Sequence, residues 1–125
     1  MTMAYWCALV TGLLPFAFAM IAKAGARDFT NRTPRAFLAD LQGWRQRANW
    51  AQQNTFEALP LFLAGVIVAH QLAAPQVWVN ALAAAFLGLR VLYGVVYIAD
   101  KPALRSLVWF ASLACTVGLW LVGML

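Results

Sequence analysis

Three stretches of the sequence carry no formal charge: Met1 to Ala22 (22 residues), Ala58 to Leu89 (32) and Ser106 to Leu125 (20). Each reaches the roughly 20 residues that a helix needs to cross a hydrocarbon core about 30 Å thick. Composition agrees, with 64% of the 125 residues apolar and 10% charged, against about 45–50% and about 25% in soluble domains. The longest polar segment, Lys23 to Glu57, spans 35 residues and runs into the next helix, which excludes a water-soluble catalytic domain. The runs are continuously apolar and lack the two-residue alternation of a membrane barrel, so helices are expected and strands are not. No basic residue precedes the first run, and it is expected to be a retained span and not a cleaved signal.

The long central run is interrupted at Ala73-Ala74-Pro75-Gln76, where proline blocks continuation of a regular helix. The expected fold is therefore an all-α integral membrane four-helix bundle. It forms one four-span domain over residues 1–125, with helices at about 4–26, 44–74, 76–99 and 102–125. Lys23, Arg27, Arg32, Arg35, Arg45 and Arg47 cluster between the first two helices, and Lys101 and Arg105 between the last two. The positive-inside rule puts these loops in the cytoplasm and both termini on the opposite side of the cell (inner) membrane. The net charge of +5 is thus mainly a topology signal. With no nucleic-acid-binding module to go with it, no nucleic-acid partner is expected. Phe37, Leu38, Leu41 and Trp44 recur at helical spacing and predict an interfacial amphipathic piece leading into the second span. Cys7 and Cys115 both fall within spans, as small apolar packing residues.

Polar residues inside the spans carry the functional signal. Gln53, Asn54 and Glu57 share one face of the second span by their three- and four-residue spacing, and Arg90, Tyr93 and Tyr97 share one stripe of the third. Glu57 lies 17 residues before Ala74, and Arg90 lies 15 after Pro75. At about 1.5 Å per residue the two charges are level to within about 3 Å, so they can meet. A purely structural pair that fixes helix register is the plain alternative. Against it stands the extra polar capacity of Gln53, Asn54 and two phenols, with Arg27, Arg105 and Ser106 at the same end. Such a set suits a small, multiply charged ligand, with arginines for its carboxylates and Glu57 for an ammonium group. His70 has no acidic or cysteine partner at ligand spacing, and no metal site is expected.

Gln52-Gln53-Asn54-Thr55-Phe56-Glu57-Ala58-Leu59-Pro60, then Arg90-Val91-Leu92-Tyr93 with Tyr97, then Lys101-Pro102-Ala103-Leu104-Arg105-Ser106, resemble the MAPEG family, the membrane-associated proteins in eicosanoid and glutathione metabolism, in its bacterial-type members. The resemblance implies a homotrimer of four-helix subunits that binds glutathione as cosubstrate between neighbouring subunits and takes a hydrophobic small molecule or lipid from the bilayer. It further implies that Asn54 and Glu57, with Gln53 nearby, hold glutathione, and that Arg90, Tyr93 and Tyr97 complete the pocket. Arg105, with Ser106, would face the thiol, and Arg27 would assist the acceptor. An arginine there has an independent rationale, because the thiolate is the nucleophile and a thiol near pKa 8–9 is mostly protonated at neutral pH. Two departures from the family pattern are Trp50, where several members have an arginine, and Trp109, where some have a tyrosine.

The expected activity is that of a glutathione-dependent membrane transferase or peroxidase acting on hydrophobic electrophiles in detoxification or lipid metabolism. A non-catalytic lipid-binding or scaffold protein of the same family is the alternative that Trp50 and Trp109 favour. A small four-helix proton-coupled efflux transporter is a third reading, weakened because the first span here holds no carboxylate.

Overall fold

A computed structural model describes all residues, Met1 to Leu125, as five helices and no strands: α1 (Met3–Lys23), α2 (Pro34–Ala39), α3 (Gly43–Gln71), α4 (Gln76–Ile98) and α5 (Pro102–Val122). α3 and α4 pack together, and α1 and α5 each lie against both of them without a comparable contact with each other. α1, α4 and α5 are long and apolar enough to cross a membrane. α3 is longer, at 29 residues, but falls short of the same apolar measure. Gln52, Gln53, Asn54 and Glu57 in its first half and His70 and Gln71 at its end dilute its hydropathy. Pro15 and Pro60 lie inside α1 and α3, and both helices continue through them. The first helix stops at Lys23, short of the expected Ala26, because the chain turns at Gly25 with a φ of 67°. The amphipathic piece is the short α2, whose Phe37 and Leu38 pack against buried Ala22, Leu41 and Ala48.

The core that positions everything else lies in the half of the molecule toward the α3–α4 turn. Phe62 and Phe86 stack there with ring centroids 3.9 Å apart and planes 10° apart, among Cys7, Val66, Val79 and Leu119. Toward the basic end a second cluster joins Phe18, Ala51, Tyr93 and Val108. α1 comes close to α4 at Gly94, where a Cβ would run into the Phe18 ring. Large apolar side chains such as Leu13, Phe16 and Met20 on α1 and Leu107, Phe110 and Leu121 on α5 are exposed. That surface is suited to hydrocarbon and would aggregate in water.

Helix ends are closed by side chains from other helices. The Asn80 side-chain oxygen on α4 accepts the Ala4 backbone N–H of α1 at 3.1 Å, satisfying one of the four donors that a helix start leaves unpaired. Beside it, His70 bonds Thr2 Oγ1 at 2.8 Å and the Val66 carbonyl at 2.7 Å and stacks on Tyr5 at 4.1 Å. At the basic end Arg45 donates to the carbonyls of Ala22 in the last turn of α1 and Ala24 just after it, and Arg47 donates to Ile98 at the end of α4 at 3.1 Å. Cations at helix C-termini also meet the negative end of the macrodipole.

α3 and α4 end alike. The Ala74 N–H bonds the Ala69 carbonyl and the Ala73 N–H bonds that of His70; the Lys101 and Asp100 N–H groups repeat the pattern on Val96 and Tyr97. This is the Schellman arrangement, which needs a left-handed residue. Here Ala73 (φ 52°) and Asp100 (φ 61°) take that place. Pro75 follows the first motif as the N-cap of α4, and Pro102 follows the second as the first residue of α5, where it has no N–H to lose. Alanine is strained at such a φ. Ala73→Gly should raise unfolding stability by about 1 kcal/mol, read as a higher midpoint in detergent melting with the helical content unchanged; an unchanged or lower midpoint would contradict the assignment.

Candidate functional site

Arg90 is the largest fully buried side chain in the protein, with 0% of its surface exposed. It projects from α4 toward α3, where its Nη2 donates to Asn54 Oδ1 and Thr55 Oγ1, both at 2.9 Å. Its guanidinium lies 4.2 Å from the centre of the Tyr93 ring. Neither Nε nor Nη1 has a hydrogen-bond partner, although both are buried. Two of the five guanidinium N–H donors are therefore used and three are free. Removing a charge from water without full pairing is expensive, so this is the least satisfied point of the interior.

Glu57 and Arg90 do not form an ion pair, and Arg90 bonds Asn54 and Thr55 instead. The two residues lie on the wall of one cavity, as their level positions required, but the Glu57 side chain is exposed and accepts from Asn54 Nδ2 at 3.5 Å. The reason is a difference in helix face. Asn54 and Thr55 turn toward α4 and take up Arg90, while Glu57 and Gln53 lie on the open side of α3. Asn54 thus bridges the two charges, donating to one and accepting from the other.

Three hollows meet at Asn54. The first, about 180 Å³, lies between α3, α4 and α5 and is bounded by Glu57, Leu61, Phe86, Arg90, Trp109 and Ser112 among others. A second, about 320 Å³, is formed by Trp50, Gln53, Asn54, Glu57, Tyr93 and Tyr97. The third, about 310 Å³, adds Arg105, Ser106, Trp109 and Phe110 to Asn54 and the two tyrosines. Tyr93 and Tyr97 sit edge to face at 5.5 Å, Trp50 flanks Tyr97 at 6.2 Å, and the Arg105 guanidinium stands over Tyr97 at 4.6 Å. Pro102 starts α5 one turn before Arg105, so the arginine stands at the beginning of that helix.

Eight of the nine sequence-predicted site residues therefore come together: Gln53, Asn54, Glu57, Arg90, Tyr93, Tyr97, Arg105 and Ser106. Arg27 does not join them. It lies past the end of α1, exposed in the loop that begins at Gly25, and lines none of the three hollows. Sequence reasoning missed Thr55, Ser112 and Thr116. Thr55 is signalled by the number of acceptors a buried arginine requires, and Ser112 and Thr116 by their four-residue spacing in the stretch of α5 that follows Arg105 and Ser106.

An all-helical integral membrane protein with a buried arginine and an open polar layer at span depth is the class that this fold and site define. The chain belongs to the MAPEG family, whose family model matches residues 3–125, essentially the whole sequence. That family includes glutathione-dependent transferases and peroxidases. Searches of curated proteins and of solved structures returned no match.

Thr55→Val keeps the shape of the side chain and removes one of the two acceptors of Arg90. It should destabilise the protein by about 1–3 kcal/mol, the range for leaving a buried polar group unpaired, and Thr55→Ser should restore most of the loss. Equal stability of all three proteins in denaturant titrations would show that Arg90 is satisfied in another way.

Proposed function

We propose that the protein is a glutathione-dependent membrane transferase or peroxidase that acts on hydrophobic electrophiles, with the glutathione thiolate stabilised by Arg105. The observation that carries this reading is Arg105 in the first turn of α5, stacked on Tyr97 in the same hollow as Ser106, Asn54 and Tyr93. A fixed guanidinium beside a thiol favours the anion, and each unit of pKa depression requires about 1.4 kcal/mol of preferential stabilisation. Glutathione carries two carboxylates and one ammonium. In this proposal Glu57 and Gln53 receive the ammonium end, Asn54, Tyr93 and Tyr97 hold the peptide, and Arg90 anchors the site from beneath. Ser106 supplies a hydroxyl to the same hollow. Arg27 is placed at the cytoplasmic rim, where its exposure allows it to attract an anionic ligand without fixing one.

The working form in this reading is a homotrimer, with α3 completing a four-span bundle as one membrane domain and with both termini on the non-cytoplasmic side of the cell membrane. Support comes from the open face of α3. Gln53 and Glu57 are exposed there in the single chain, and an ionisable group facing lipid is costly, so a neighbouring copy is expected to cover that face and close the glutathione site. The non-catalytic scaffold reading rests on Trp50, which occupies the wall of the second hollow as an apolar surface, with no cation for a carboxylate.

The test is ultraviolet difference absorbance of purified protein titrated with glutathione at neutral pH. A saturable thiolate band that is lost in Arg105→Ala is the expected result. Absence of the band, together with absence of glutathione-dependent thermal stabilisation, would overturn the enzyme reading in favour of the scaffold.

A further inference from the structure

The cavity between α3, α4 and α5 is separate from the hollow that contains Arg105, and the two share only Asn54 and Trp109 as walls. Its volume of about 180 Å³ is close to that of a cavity of about 150 Å³ that admits benzene. Phe86, Leu113 and Ala58 make most of the wall apolar, and Arg90, Ser112 and Thr116 are the buried polar groups on it. The Ser112 hydroxyl already donates to the Trp109 carbonyl at 2.8 Å. Arg90, fully buried, has unused donors at Nε and Nη1.

What would satisfy Arg90 is constrained by charge. Glu57 lies on the wall of the same cavity and is not neutralised by direct contact with Arg90, so the cavity already holds one negative and one positive group. A second carboxylate would meet Glu57 in a medium of low dielectric, where like charges repel strongly. An uncharged acceptor such as a carbonyl oxygen takes the free N–H donors without that repulsion. We propose that this cavity is a binding site for the ring-sized end of an apolar molecule that carries an uncharged oxygen acceptor, a ketone or aldehyde carbonyl, held by the free N–H groups of Arg90. The adjacent Arg105 hollow would make it the pocket for the electrophilic end of the second substrate. That role rests on the thiol-site reading above; the binding itself does not.

Binding is therefore measured without glutathione, by fluorine NMR of 4-fluoroacetophenone, 1-ethyl-4-fluorobenzene and 4-fluorobenzoate against the protein in phosphatidylcholine nanodiscs, with empty nanodiscs as reference. The ketone is expected to bind saturably and about tenfold or more tighter than the hydrocarbon, the worth of one hydrogen bond to a charged donor. The benzoate should show no saturable binding. Arg90→Gln should remove the preference for the ketone. Ser112→Leu, which fills the cavity and leaves Arg90 in place, should abolish binding of both neutral probes, and it decides the matter alone if Arg90→Gln does not fold. Equal binding of ketone and hydrocarbon, preference for the benzoate, or binding unaffected by Ser112→Leu would each overturn the proposal. A failure here leaves the thiolate band intact, whereas failure of the thiol-site reading removes the band and leaves ketone binding in place.

Discussion

A guanidinium with no exposed surface, at the depth of the spans, is the constraint on which the rest of this structure depends. Arg90 joins α4 to α3 through Asn54 and Thr55 and rests on the face of Tyr93. Its partners therefore fix the rotation of both helices about their axes. That rotation turns Asn54 and Thr55 inward, leaves Glu57 and Gln53 on the open side, and sets Tyr93 and Tyr97 along one wall. The apolar core beyond it, with Phe62 stacked on Phe86, carries packing but no chemistry. Because lipid is as apolar as that core, polar links of this kind carry more of the specificity here than in a soluble protein.

The same economy of polar groups operates at the helix ends. Arg45 and Arg47 belong to the basic loop that determines topology in the sequence reading, yet each is fixed on helix-terminal carbonyls. Basic residues there close helix ends. Arg47 is thereby engaged with α4 and is not free to reach a ligand at Asn54. At the other end Asn80 and His70 tie the start of α1 to α4 and α3.

Much of this was legible in the sequence because its signals are strong. Charge-free runs, Pro75 and Pro102, and the three- and four-residue spacing of polar residues set the helices and bring eight of the nine candidate residues to adjoining hollows. What failed was finer than helical periodicity. Level positions brought Glu57 and Arg90 to one cavity but not into contact, since depth along the axis says nothing of which partner competes for the arginine, and Thr55 won. Arg27 is expected just past a first span that Ala24 and Ala26 extend, whereas the helix ends at Lys23 and Gly25 allows the chain to turn away. Ser112 and Thr116 look like ordinary tolerated hydroxyls until the cavity they line is seen.

The central claim is that the polar layer around Asn54 is an open seat for a glutathione-like tripeptide. It is tested most directly by labelling single cysteines, Gln53→Cys and Ser106→Cys, in a chain with Cys7 and Cys115 replaced by alanine. A membrane-impermeant maleimide is added from the basic-loop side, with and without S-methylglutathione, which cannot consume the reagent. The account predicts that both positions are labelled and that S-methylglutathione protects both saturably, while a control cysteine at exposed Thr30 is labelled equally with and without it. Labelling of both positions that saturating S-methylglutathione does not slow would contradict it.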